Sequence, residues 1–238
     1  MKIALLPGDA RQEALGRLLA EAGHRVLPYE PGGEADAWLF PLPTLDHPAL
    51  GILKPGSLAL TALAAGEHPR LRLRDYYQKE EVRLRNAAIT AEGAIALAME
   101  RSERTLLGSR ALILGGGRIS LALAPRLRAL GAEVTVYARR AEQRALAECL
   151  GCRSLEALPE SPEGYDFLFN TVPAPLLPRG AEGAEGALNI ELASAPGGFL
   201  DPSGVVIARG LPGKAAPLSA AEALLKPILA IIREEETP

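Results

Sequence analysis

The sequence predicts an α/β protein of two doubly wound parallel sheets, and three observations carry that expectation. Short apolar runs alternate with amphipathic helical stretches over all 238 residues. The run Ala111-Leu112-Ile113-Leu114 leads through Gly115-Gly116-Gly117 into a helical pattern that closes at Gly131, and a second apolar run, Val134-Thr135-Val136-Tyr137, follows at once. The last amphipathic stretch, residues 217–234, sets Leu224, Leu225, Ile228 and Ile231 on one face, and is expected to pack back onto the first domain.

Taken in order, residues 2–6 form a strand, Pro7-Gly8-Asp9-Ala10-Arg11 a turn, and the next stretch a helix with Leu15, Leu18 and Leu19 on one face, ended by Gly23. Further strands are expected at 24–28, 37–41, 57–62 and 71–73. Residues 1–85 are then a flavodoxin-like substrate domain, completed by the helix at 217–234. Residues 75–104 turn helical, with a break at Ile89-Thr90 where Thr90 caps a second helix, and 86–108 bridges the domains. Residues 109–216 make the second domain, with strands at 111–114, 134–137, 166–170, 187–192 and 205–208. Its strand, glycine turn, helix and strand come in the order of a Rossmann dinucleotide-binding domain.

With 26 basic and 29 acidic residues the net charge is −3, so no global field points to nucleic acid or an acidic membrane. No apolar run is long enough to span a bilayer and the N-terminus lacks the order of a signal peptide, so a cytoplasmic protein is expected. Arginine outnumbers lysine while Cys and Met are scarce, as in thermophiles and in GC-rich genomes alike. Cys149 and Cys152 form a lone CxxC without the second pair that structural zinc requires, so no metal is expected and both read as small buried side chains.

Glycines at 115 and 117 permit a tight turn and close approach of a pyrophosphate to backbone amides, and the helix opening with Arg118 and Ile119 aims its positive end at that phosphate. Where an NAD site carries Asp or Glu after the second strand, this chain has Ala138, Arg139 and Arg140. Guanidinium there suits a 2′-phosphate, which makes NADP the expected cofactor. Asn170-Thr171-Val172-Pro173 closes a strand across the switch point, at the nicotinamide end; its structural reading is a proline-stopped strand with an Asn turn.

Other polar segments also follow strands. Asp9 reads as a helix cap, while Arg11, a cation on a helix's first turn, opposes the dipole unless an anion lies in front of it. Thr44 and Ser194 offer hydroxyls after two strands, and Lys214 sits in a glycine-flanked loop. Asp75 opens a helix whose carboxylates the dipole alone explains. His24, His47 and His68 have no arrangement that suggests a base or a metal ligand.

These segments together resemble the A-subunit family of dipicolinate synthase. The matching strings are Gly8-Asp9-Ala10-Arg11-Gln12, Arg74-Asp75-Tyr76-Tyr77, Asn86 with Thr90-Ala91-Glu92-Gly93, the Gly115 turn, Ala138-Arg139, Asn170-Thr171-Val172-Pro173-Ala174, Leu192-Ala193-Ser194-Ala195-Pro196-Gly197-Gly198 and Gly210-Leu211-Pro212-Gly213-Lys214-Ala215-Ala216-Pro217. The resemblance implies an NADP-dependent oxidoreductase of the lysine and diaminopimelate branch that oxidises dihydrodipicolinate to dipicolinate, beside a flavoprotein B subunit. It implies Arg11 and Lys214 as partners of a cyclic dicarboxylate, Thr44, Thr90 and Ser194 as hydrogen-bond donors, and Glu92 or Asp75 as the base. A homo-oligomer is expected too. The chain departs from the pattern in a short region between Trp38 and Asp75, in Ala88, in Glu191 where the family has Asp, and in Ser120 at the third glycine of the fingerprint.

Two rival readings remain. A shikimate-type dehydrogenase shares the two-domain plan, with Lys54 as its one interior lysine, in a Lys-Pro-Gly turn. A non-catalytic NADP-binding sensor or partner protein would bind the dinucleotide without turnover.

Overall fold

A computed structural model of the chain describes residues 1–45, 47–63, 67–158, 164–177 and 186–237. In chain order its elements are β1 (Lys2–Leu5), α1 (Ala10–Glu21), β2 (Arg25–Pro28), β3 (Ala37–Leu39), α2 (Ala49–Ile52), β4 (Leu58–Thr61), β5 (Arg72–Asp75) and α3 (Glu80–Arg101). Then follow β6 (Arg110–Leu114), α4 (Arg118–Ala129), β7 (Glu133–Tyr137), α5 (Ala141–Cys149), β8 (Arg153–Leu155), β9 (Phe167–Asn170), β10 (Leu188–Glu191), β11 (Val205–Ile207), α6 (Leu211–Ala215) and α7 (Pro217–Glu236). Two compact units result, Met1–Asn86 with Pro212–Pro238, and Ala87–Leu211.

In the first unit five parallel strands lie in the order β2-β1-β3-β4-β5, the flavodoxin-like arrangement, with its switch point between β1 and β3. Every residue of β4 is buried, as expected where helices cover both faces of a parallel sheet. Ile3, Leu15, Leu19 and Leu39 share one core with Ala221, Leu224, Ile228 and Ile232, so the apolar stripe of α7 packs back onto this sheet.

The second unit holds six parallel strands in the order β11-β10-β9-β6-β7-β8, the Rossmann order, with its switch point between β6 and β9. Successive residues of a strand face opposite sides: Ile113, Phe167, Phe169 and Ile190 join one core with Leu123 and Leu127 of α4, while Leu112, Leu114 and Leu168 join another with Leu177 and Phe199.

Four expectations need correction. Helix α3 runs unbroken through Ile89-Thr90, so Thr90 is a buried mid-helix residue rather than a cap. Ala91, Ala94 and Ala98 of α3 are buried in the same core, and that packing outweighs the capping preference of threonine. Asp75 ends β5, and the first-turn carboxylates of α3 are Glu80 and Glu81. Lys214 belongs to a short helix, α6, whose opening tolerates Pro212 because the first turn needs no amide hydrogen there. Cys149 is exposed on the last turn of α5 and only Cys152 is buried. Among the described residues no cluster of His, Cys, Asp and Glu is arranged to hold a metal ion, and no helix is long and apolar enough to cross a membrane.

Candidate functional site

The turn from β6 into α4 is shaped by what cannot fit there. At Gly115 φ is +103°, and a Cβ would lie 2.5 Å from Thr171 Oγ1 and 2.8 Å from Val172 Cγ2. Only glycine lets this turn pass beneath residues 171–172. A Cβ on Gly116 would lie 2.6 Å from Gln143 Cβ. Gly117 differs: it is the N-cap of α4 in extended backbone, no side chain caps the helix, and a Cβ there would meet nothing within 4 Å. The helix therefore presents its positive end to open space. Ser120 anchors the turn from below, its hydroxyl donating to the Gly115 carbonyl at 2.6 Å and lying 3.1 Å from Thr171 Oγ1. A hydroxyl thus tethers the loop where the fingerprint has a third glycine.

Two cations stand after β7. Ala138 is buried, whereas Arg139 and Arg140 are exposed. Arg144 holds the intervening backbone, its Nη1 donating to the carbonyls of Ala138 at 3.0 Å and Arg139 at 2.8 Å. Among the described residues, no ion pair engages the guanidinium of Arg139 or Arg140. Their charge is available to an external anion. Arg118, on the first turn of α4, is exposed as well.

Across the switch point, Asn170 and Thr171 are committed to the protein. Asn170 Nδ2 donates to the Val172 carbonyl at 2.9 Å and to Glu191 Oε1 at 2.7 Å, and its Oδ1 accepts from the Val172 amide at 3.1 Å. Thr171 Oγ1 donates to the Leu114 carbonyl at 2.8 Å. These side chains build the Asn170-to-Pro173 turn instead of reaching out of it. The sequence marked Glu191 only as a departure from the family pattern; in the fold it is 1% exposed, and its other oxygen accepts from the Gly198 amide at 2.7 Å.

In the first unit the electrostatic puzzle of Arg11 is solved internally. Asp9 caps α1, accepting from the Arg11 and Gln12 amides, and its Oδ2 also lies 3.0 Å from Arg11 Nη2. The anion that offsets Arg11 at this helix start is Asp9 itself. Arg11 is 6% exposed, and its Nη2 also donates to the Leu42 carbonyl at 2.7 Å. Tyr76 donates to the Phe40 carbonyl; burial pushes its phenol far above the usual range, and Arg11 offsets part of that rise. Gly213 packs against Asp9 so closely that a Cβ would lie 2.0 Å from Oδ2. Asp9, Arg11 and the start of α6 are thus neighbours, with the Lys214 side chain exposed beside them.

The remaining candidates are dispersed. Thr44 is buried, donates to the Pro41 carbonyl at 3.1 Å and accepts from the Ala62 amide at 2.8 Å, so its hydroxyl hydrogen is already used. Asp75 accepts from the amides of Tyr77 at 2.7 Å and Leu63 at 3.2 Å, and it borders a cavity of about 490 Å³ with Thr61, Glu67, His68 and Gln78. In the second unit Glu92 is exposed and pairs with Arg126 at 3.3 Å, and Ser194 is exposed after β10.

Comparison with known proteins agrees with this geometry. Residues 77–179 match the D-isomer specific 2-hydroxyacid dehydrogenase, NAD binding domain family. The A subunit of dipicolinate synthase from Bacillus subtilis (strain 168) is 32% identical over 173 residues, 67% of this chain and 58% of the relative's length. The chain is a relative of the dipicolinate synthase A subunits. A crystal structure of the dipicolinate synthase A chain from Bacillus subtilis superposes with a TM-score of 0.77 at 24% identity, covering 99% of this chain and 98% of that one. The A subunit of dipicolinate synthase from Bacillus halodurans gives a TM-score of 0.80 at 21% identity, covering 100% and 98%. At these identities the superpositions show a shared fold.

The second unit is therefore a nicotinamide dinucleotide-binding domain of dehydrogenase type. Its residues fit the group: an uncapped helix end faces open space at Gly117, and a bare strand end after β7 lies where the adenosine half is held in this fold.

Proposed function

We propose that this chain is an NADP-dependent oxidoreductase of the dipicolinate synthase type, converting dihydrodipicolinate to dipicolinate. One observation supports the cofactor preference most strongly: β7 ends in Ala138-Arg139-Arg140, where two exposed guanidinium groups without a partner among the described residues replace the acidic residue that would hold a ribose diol. The 32% identity to a dipicolinate synthase A subunit supports the substrate.

When bound, the dinucleotide supplies the hydride acceptor. The chain's own work is to bind the ring dicarboxylate, orient it and take up the accompanying proton, so that the dihydro ring loses one hydride and one proton in becoming aromatic. Lys214, exposed on α6, is the cation proposed for a ring carboxylate, whereas Arg11 is held by Asp9 and the Leu42 carbonyl and supports the loop beside it. Exposed Ser194 is the proposed hydrogen-bond donor. Asp75, held by two backbone amides, and Glu92, paired with Arg126, are the proposed proton acceptors. Replacing each in turn, Asp75→Asn and Glu92→Gln, identifies the base as the one whose loss removes kcat while leaving dinucleotide affinity unchanged.

The decisive assay mixes purified protein with dihydrodipicolinate and NADP or NAD, with and without a flavin-binding partner, and follows NADPH absorbance and dipicolinate. Dipicolinate formation with NADP supports the proposal. Tight NADP binding with no turnover in any arm contradicts it and leaves a dinucleotide sensor.

A further inference from the structure

Two loops leave the carboxyl ends of neighbouring strands in the second unit, residues 171–173 after β9 and residues 192–199 after β10. The carboxylate of Glu191, on the last residue of β10, sits between them. Its Oε1 accepts from Asn170 Nδ2 at 2.7 Å and from the Ala193 amide at 2.9 Å, and its Oε2 accepts from the Gly198 amide at 2.7 Å. Around it the backbone closes tightly: a Cβ on Gly197 would lie 2.6 Å from Glu191 Oε2, and one on Gly198 would lie 2.5 Å from Asn170 Nδ2. Arg209 Nε donates to the Ala193 carbonyl at 3.1 Å and Nη2 to the Pro196 carbonyl at 3.2 Å. Residue 198 in turn receives the amides of Leu176 and Leu177 on its carbonyl, at 2.9 and 3.1 Å. A carboxylate 1% exposed, with one donor from the end of β9 and two from the loop after β10, is a costly group to bury if it only stabilises the core.

We propose that Glu191 is a positioning residue that couples the two loops into one rigid wall at the nicotinamide end of the dinucleotide site, resting on the dinucleotide reading above. It touches neither cofactor nor substrate. It fixes the amide of Asn170 and thereby the Asn170-to-Pro173 turn, and it holds the exposed Ser194-Ala195-Pro196 tip at a set height above β10. Among the described residues its hydrogen bonds go to Asn170, Ala193 and Gly198, and none goes to the Gly115 turn or the end of β7, which serve the pyrophosphate and adenosine half. Loss of the carboxylate therefore harms the nicotinamide half of the ligand more than the half held at the open helix end of Gly117.

The test titrates wild type, Glu191→Gln and Glu191→Asp with NADPH and with 2′-phospho-ADP-ribose, which lacks the nicotinamide, and records thermal melting for each. Glutamine keeps the volume but turns one acceptor into a donor facing amide hydrogens; aspartate keeps the charge on a shorter stem. The expected result is NADPH binding weakened about tenfold in the glutamine variant, fragment binding within about twofold of wild type, and partial recovery with aspartate. Equal losses for both ligands, or none for either, overturn the positioning role while wild-type binding keeps the dinucleotide site standing. A wild type that binds neither ligand overturns both.

Discussion

Both sheets begin with a strand, a glycine-containing turn and a helix, yet the two turns satisfy the helix end in opposite ways. After β1, Asp9 places its own carboxylate on the amides of α1, Arg11 neutralises it at 3.0 Å, and Gln12 fills the space behind, donating to the Leu6 and Leu39 carbonyls. After β6, Gly117 offers no side chain, no cap closes α4, and the space in front is open. The first turn carries its anion within the chain; the second leaves the place for one that arrives from solution. One strand-turn-helix geometry thus yields a structural corner or a phosphate cradle, according to whether the cap residue has a carboxylate.

Making the second turn resemble the first should have the largest effect. Gly117→Asp meets no steric obstacle, because the backbone there is extended and nothing lies within 4 Å of a Cβ. A built-in cap should leave the melting temperature equal or higher while NADPH binding weakens about 100-fold, through competition for the amides and repulsion of phosphate. Unchanged affinity would break the comparison. The converse change, Asp9→Ala, removes a cap and strands Arg11 with its side chain 7% exposed. Denaturant unfolding should show a loss of about 2 kcal/mol, with Asp9→Asn recovering the cap but not the charge. The smallest effect is expected from Ser120→Ala, which deletes the tether to the Gly115 carbonyl. About 1 kcal/mol of stability and a few-fold loss in NADPH affinity should follow, read by melting and titration on the same samples.

The contrast also shows what was legible in the sequence. All strands of the first sheet, five of the six in the second and the Gly115 turn could be read because apolar runs and glycines act locally; β8, a three-residue edge strand with only partly buried Ser154 and Leu155, carries too short an apolar run to show. The role of Asp9 as a cap was equally local. What the sequence hid is set by packing across the fold. Thr90 looks like a helix start, but Ala91, Ala94 and Ala98 bury that side of α3 and keep the helix whole. The glycines and proline around Lys214 suggest a loop, yet they form α6. Asn170 reads as a cofactor contact until its partner is known, and that partner, Glu191, is 21 residues away in sequence. For Arg11 the helix dipole correctly required an anion nearby, but only the folded side chains reveal that Asp9 already supplies it.

The central claim is that the bare turn after β6 and the basic end of β7 form an NADP site. Its most direct test is calorimetric titration of the purified chain with NADPH and with NADH, repeated with Arg139→Ala/Arg140→Ala. NADPH binding at least about tenfold tighter than NADH, with the preference abolished in the double variant, is the result this account predicts. Equal affinity for the two dinucleotides in the wild type, or a preference that survives removal of both arginines, would contradict it.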